Sequence, residues 1–182
     1  MTIEKTFIED LVIITPSVFE DARGYFFEAY NQVKFYENGI NYQFIQDNQS
    51  FSKRGVIRGL HLQINPFAQA KLVRVLEGEI LDVAVDLRKN SLTYGQHFSV
   101  ILTAENKKQL MVPHGFAHGF SVLSETASVL YKVDQVYHKE SERGIRYDDP
   151  ALAIDWQISA EELIVSEKDL VLPGFNEIDW TF

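Results

Sequence analysis

The 182-residue chain contains no cysteine. That removes disulfides, thiolate metal ligands and cysteine nucleophiles together, and it suits a reducing compartment. Basic charge is scarce as well: 17 Lys and Arg stand against 26 Asp and Glu, for a formal net charge of −9. A general nucleic-acid binder carries the opposite balance, although local cations leave room for an anionic small ligand. Long apolar runs are missing too. The opening MTIEKTFIEDLVIITP holds only a short apolar stretch, Leu11 to Ile14, with acidic residues before it. Such a stretch is too short for a signal core or a membrane span, so a soluble, unexported, cytoplasmic protein without membrane contact is expected. Low-complexity segments, linkers and internal repeats are absent. The length suits one domain with a real core, here residues 1–182.

What the chain does contain is short alternating strands, in a composition that is 46 % apolar and 13 % aromatic. EILDVAVDL (79–87) places Leu81, Val83, Val85 and Leu87 on one face and Asp82, Ala84 and Asp86 on the other, the pattern of a half-buried strand. Similar runs recur at LVIITP, GYFFEAY, GVIRGLHLQ, KLVRVLEG, HFSVIL, QLMVP, GFSVLS and ASVLYKV, separated by turn signals such as Glu77-Gly78 and Arg88-Lys89-Asn90-Ser91. Many short strands at close spacing predict an all-β jelly-roll sandwich or barrel. Helical patterns are few: NQVKFYENG near the start, and SAEELIVSEKDL near the end, where Ser159 and Glu162 have capping-box spacing.

Several polar residues sit where those strands are otherwise apolar. VIRGLHLQ (56–63) carries Arg58 and His61, which a regular strand sends to opposite faces. Gly59 between them marks a candidate bulge that would turn both toward one cavity. In ASVLYKV, Tyr131 shares parity with Ala127, Val129 and Val133 and points inward; in PHGFAHGF, His114 and His118 share parity with Phe116 and Phe120. Lys71 shares parity with Val73 and Val75. Taken singly, an interior tyrosine or histidine is usually a satisfied core residue, and a lysine at a strand start snorkels to solvent. Taken together, His61, Lys71, Tyr131 and at least one of His114 and His118 make four inward polar groups, an expensive way to build a mere core.

Interior histidines in a β-barrel raise the question of a metal. A cupin-type centre wants two His at i and i+2 on one strand, then a carboxylate and a third His. Here Gln63 occupies the second of those positions, in His61-Leu62-Gln63. Convergence of His61, His114 and His118 stays open, but the broken motif favours a metal-free site without a cofactor.

The strings FEDARGYFFEAY, QDNQSFSKRGVIRGLHLQ, AQAKLVRVLEGEILDVAVDLRKNSLTYG, PHGFAHGF and SERGIRYDDPALAIDW resemble the dTDP-4-dehydrorhamnose 3,5-epimerase family, in the family's order and over about Leu11 to Pro173. The resemblance implies a cupin-like jelly-roll and a homodimer. It also implies metal-free epimerisation of dTDP-4-keto-6-deoxy-D-glucose at carbons 3 and 5 to dTDP-4-keto-L-rhamnose, in dTDP-L-rhamnose biosynthesis. By the same resemblance His61 is the base, Asp169 its partner carboxylate, Lys71 the cation that stabilises the enolate and Tyr131 the general acid. Arg23 and Arg58 are implied as diphosphate ligands, with Phe26, Glu28, Gln46 and Asn48 around the thymidine, some reaching across the dimer. His118, Tyr137, Glu142 and Lys168 are implied to line the ligand site.

The chemistry suits these residue types. A hydrogen alpha to a ketone needs a positioned base and a donor for the enolate oxygen, and a neutral imidazole is a fitting base near neutral pH. The chain departs from the family pattern at Leu62, where an aromatic is usual, at Leu92, where a proline is usual, and at His138, in place of a proline or small residue. These departures touch none of the implied acid, base or lysine and bear on substrate detail, leaving a single-site epimerase or 3,4-ketoisomerase on the same fold in play. Two readings from other classes are a metal-dependent cupin and a non-catalytic sugar-nucleotide binding module.

Overall fold

The computed structural model describes residues 1–180 and 182. Its strands are β1 (Thr2–Lys5), β2 (Val12–Thr15), β3 (Val18–Asp21), β4 (Gly24–Phe27), β5 (Gln46–Lys53), β6 (Val56–Gln63) and β7 (Lys71–Glu77). They continue as β8 (Glu79–Asp86), β9 (His97–Thr103), β10 (Gln109–Val112), β11 (Phe116–Val122), β12 (Thr126–Val133), β13 (Glu142–Gly144) and β14 (Ile164–Val165). Two helices, α1 (Gln32–Glu37) and α2 (Glu167–Leu170), are short.

Alternation along the strands closes two sheets on each other. One runs β1-β2-β10-β7-β12-β5 and the other β13-β6-β11-β8-β9, with β14 added parallel to β6. Val73, Val75, Ala127 and Val129 of the first sheet meet Ile80, Ala84, Phe116, Phe120 and Val122 of the second in one buried core. This is the expected all-β jelly-roll, and Tyr131 packs against that core as its parity requires.

The sequence reading needs three corrections. Strand β8 is buried on both faces instead of one. Leu81, Val83, Val85 and Leu87 face outward onto Ile145, Leu152 and Trp156 of the C-terminal segment, so the face that carries Asp82 and Asp86 is the interior one. The predicted C-terminal helix is not continuous. Ser159 and Glu162 do bond to each other, side chain to side chain and backbone to backbone, but they close a turn. The β-branched Ile164 and Val165 then pair with β6, and only Glu167–Leu170 is helical, capped by Ser166. Finally, GYFFEAY is a strand only over Gly24–Phe27, paired with β3 as a separate hairpin.

The expected first helix does form. Asn31 caps it by accepting from the Lys34 N–H, and Phe35 anchors it over Leu72 and Met111 on the outer face of the first sheet.

Candidate active site

The inward polar residues converge because β6 carries an extra residue. His61 pairs with His118, whereas Arg58 pairs with Phe120, so three steps along β6 are matched by two along β11. That bulge reverses the side-chain alternation and turns Arg58 and His61 to the same side. Gly59 allows it: its φ is +127°, and a Cβ there would lie 2.6 Å from the Gly119 Cα.

The cavity lies between the sheets, about 500 Å³ in volume, lined by Arg58, His61, Lys71, His118, Tyr131 and the Ser166–Asp169 turn. A second lobe of about 300 Å³ shares His61, Lys71 and Tyr131 and adds Gln46, Asn48, Tyr137 and Glu142. His61, Lys71 and Tyr131 therefore stand between the two lobes.

His61 and Asp169, 108 residues apart, meet at 2.7 Å between Nε2 and Oδ1. Asp169 is only 3 % exposed. Burial acts to raise its pKa, yet bonds from His61, the Gly59 N–H and Ser166 outweigh it and hold the carboxyl below its usual range. An ionised carboxylate only accepts, so Nε2 carries the hydrogen and the Nδ1 lone pair is left free. The short helix α2 and its Ser166 cap exist to present this one carboxylate: it is the buried residue of the helix.

Lys71 Nζ donates to the His61 carbonyl at 3.2 Å. The side chain lines a cavity, so part of its surface is open, but protein surrounds the ammonium. Burial pushes its pKa down to about 8, against the opposing pull of Asp82 and Glu142. Burial likewise raises the Tyr131 phenol, with Arg58 pulling the other way, so Tyr131 keeps its proton at neutral pH.

A second histidine–carboxylate pair lies behind the first lobe: His118, which lines it, has Nε2 2.7 Å from Asp82 Oδ1, with both residues buried. The other Asp82 oxygen is buried without a partner. Sequence reasoning missed Asp82 because its strand was read as half-exposed. The available signal was Asp82 and Asp86 bracketing Ala84 on a strand already apolar on its other face. His114 goes elsewhere. It pairs with Asp134 at 2.7 Å, so His61, His114 and His118 each hold a different carboxylate, and among the described residues no three His, Asp or Glu converge as a donor set for a metal.

The mouth of the second lobe is a chain of polar contacts. The Tyr137 hydroxyl donates to Glu142 Oε2 at 2.9 Å, and Lys168 donates to Glu142 Oε1 at 2.6 Å. Burial raises the Glu142 pKa, but the bonds from Lys168 and Tyr137 more than offset it and leave the carboxyl low. Gln46 donates to Asn48 at 2.8 Å in the same lobe. Arg58 donates to Ser52 at 3.0 Å.

Three expected residues lie outside both lobes of this chain. Arg23, its side chain 90 % exposed, pairs with Asp21 at the tip of the β3–β4 hairpin. Phe26 is 70 % exposed on the same hairpin. Glu28 lies beyond the end of β4 and pairs with Lys34 at 2.7 Å.

The sequence profile described as dTDP-4-dehydrorhamnose 3,5-epimerase matches residues 5–177. This chain belongs to that family. It is 52 % identical over 166 residues to the dTDP-4-dehydrorhamnose 3,5-epimerase of Methanothermobacter thermautotrophicus, covering 91 % of this chain and 89 % of that one. The crystal structure of the Elizabethkingia anophelis enzyme of that name superposes with a TM-score of 0.95 at 54 % identity, covering 99 % of both chains. A Legionella pneumophila 3,5-epimerase solved in complex with dTDP-4-keto-L-rhamnose superposes with a TM-score of 0.94 at 49 % identity, over 98 % of this chain and 94 % of that one. The chain is thus an isomerase of the epimerase type on a cupin-like jelly-roll, and the cavity described above is its candidate active site.

Proposed function

We propose that the chain epimerises dTDP-4-keto-6-deoxy-D-glucose at carbons 3 and 5 to dTDP-4-keto-L-rhamnose, as one cupin-like domain over residues 1–182. The observation that carries this reading is the His61–Asp169 pair, a half-buried imidazole on a buried carboxylate, facing a cavity shared with Lys71 and Tyr131. His61 Nδ1 takes the proton alpha to the ketone, and Asp169 holds the ring in the required tautomer and stabilises the imidazolium. The electron pair left on carbon moves to the ketone oxygen. Lys71 stabilises that enolate oxygen as an ammonium. Tyr131 returns a proton from the opposite face, which inverts the carbon; the tyrosinate regains its proton and His61 loses its own by exchange with solvent. The same groups act at the second carbon.

Arg58 is placed in this reading as a diphosphate ligand, since guanidinium forks suit phosphate oxygens. His118 and the Tyr137–Glu142–Lys168 chain hold the sugar, and Gln46 and Asn48 the nucleoside side. Arg23, Phe26 and Glu28 are assigned to the partner's cavity in a homodimer. Phe19, Phe26 and the edge-strand residue Phe51 support that assignment, since all three are exposed here. A cytoplasmic location belongs to the same reading, which a cysteine-free chain suits; among the described residues no helix is long and apolar enough to cross a membrane.

Proton NMR of dTDP-4-keto-6-deoxy-D-glucose incubated with the protein in heavy water tests the reaction. Deuterium is expected at carbons 3 and 5, and none with His61→Ala. Exchange at one carbon would mean a single-site epimerase. Loss of the carbon-3 proton with a new hydrogen or deuterium at carbon 4 would mean a ketone-shifting relative, no exchange despite nucleotide binding would mean a binding module, and a fully active His61→Ala variant would remove His61 as the base.

A further inference from the structure

Gln63 lies two residues beyond His61 on β6 and is 4 % exposed. Gln63 lines the second lobe, but its side chain makes no hydrogen bond to a cavity cation or to His61, Tyr131 or Asp169; all its side-chain bonds go to backbone. Nε2 donates to the Phe67 carbonyl at 2.7 Å and to the Val136 carbonyl at 3.1 Å, and Oε1 accepts from the His138 N–H at 2.7 Å. Both amide hydrogens and the carbonyl are used. Val136 and His138 are the residues immediately before and after Tyr137. One buried amide therefore grips the peptide groups on both sides of the tyrosine that faces the second lobe.

The grip belongs to a wider seam between the β6–β7 connection and the loop after β12. The Ala70 N–H donates to Asp134 at 2.7 Å, Gln69 donates to the Gln135 carbonyl at 2.6 Å, and the His138 ring stacks on Phe67 with centroids 3.8 Å apart. Tyr137 itself is exposed and makes one side-chain hydrogen bond, to Glu142. A loop held only by backbone-to-solvent contacts would leave that ring free to swing. Here its Cα is fixed from behind by a residue of the strand that carries His61.

We propose that Gln63 is a positioning residue, which sets Tyr137 over the second lobe in register with His61 and so fixes where the substrate's sugar and nucleotide are held relative to the base. The inference rests on the assignment of Tyr137 as a substrate contact. Truncating Gln63 leaves the Val136 and Phe67 carbonyls and the His138 N–H without their partner. The loop then relaxes and binding suffers before chemistry does.

The test is a double-mutant cycle on KM and kcat, with thermal unfolding measured on every variant. Gln63→Met keeps the length and removes the amide. It is expected to raise KM for the dTDP-4-keto sugar by about tenfold, with kcat changed by about twofold or less. In a Tyr137→Ala background the same substitution is expected to change KM by less than about twofold, because the residue it acts through is gone. Gln63→Glu serves if Gln63→Met does not fold: it still accepts from the His138 N–H, cannot donate when ionised, and should raise KM in the same direction. Unchanged KM in a folded Gln63 variant would overturn the inference, as would a KM effect that persists in full without Tyr137. If Tyr137→Ala alone leaves KM unchanged, the assignment of Tyr137 fails and the inference falls with it, an outcome separable from the other two.

Discussion

The tautomer of His61 depends on a single oxygen. Asp169→Asn would offer an amide N–H where Oδ1 now accepts, favouring the wrong ring nitrogen for proton abstraction, and should lower kcat by about 10²- to 10⁴-fold with little change in KM. Solvent-exchange rates at carbons 3 and 5 measure this, with circular dichroism as the control for folding. Lys71 gives a second prediction with a definite sign. Its ammonium titrates at about 8 instead of 10.5, so kcat/KM should fall as pH rises through about 8. Among the titratable groups near it, His61, His118, Tyr131, Asp82 and Glu142, the two carboxylates support the cation. Asp82→Asn should therefore move the alkaline limb to lower pH, and a limb that does not move would separate Asp82 from Lys71. The same group weakens the fold. Because the native pKa lies below the unfolded one, the unfolded chain binds the extra proton between about 8 and 10.5 and stability rises with pH across that window. Lys71→Met should remove that rise and add about 1–3 kcal/mol of stability near pH 7 while abolishing activity. Urea unfolding at pH 7 and 10 reads both effects.

At the scale of elements, the bulge in β6 is what makes a site of the strand. Gly59→Ala would place a Cβ 2.6 Å from the Gly119 Cα in a backbone conformation that alanine disfavours. A loss of about 2–4 kcal/mol is expected in chemical denaturation, together with loss of turnover, since Arg58 and His61 would no longer share a side. The bulge was partly legible: opposite parities at Arg58 and His61, with a glycine between, form a conflict that an extra residue resolves. The burial of β8 was not legible. Alternation records which residues differ along a strand, whereas the covering of its outer face by Ile145, Leu152 and Trp156 is a long-range event that alternation does not specify. The C-terminal helix was overread for a related reason. Its capping spacing is real and its bonds form, but pairing of Ile164 and Val165 with β6 outweighs local helical preference.

At the scale of the whole molecule, an acidic protein of net charge −9 would bind the proposed, doubly anionic dTDP-sugar through a few placed cations. Two of the expected ones, Arg58 and Lys168, line the cavity, and Arg23 does not. If the β3–β4 hairpin completes the partner's site, mixing inactive His61→Ala and Arg23→Ala proteins should restore activity. One of the two sites in each mixed dimer is then intact, so about a quarter of the wild-type rate is expected after statistical exchange. Light scattering should report a dimer, and failure to recover any activity from a verified mixed dimer would assign Arg23 to its own chain's site or to none.

Residue types and their order determined much about this protein without a fold in view. The alternating short strands specify an all-β jelly-roll, because period-two apolar spacing buries a face only in a sheet. The parity of Tyr131 against its apolar neighbours turned it inward for the same reason, and the ordered motifs carried the family. The pairing of Asp169 with His61 came from the family resemblance and not from the residues themselves, and what tertiary structure alone decided were two further pairings between distant segments: Asp82 with His118, and Gln63 with the loop around Tyr137. Each joins groups tens of residues or more apart, through a hydrogen bond whose partner is selected by the packing of two sheets. Local sequence records the donor or the acceptor, but only chain closure brings the two together.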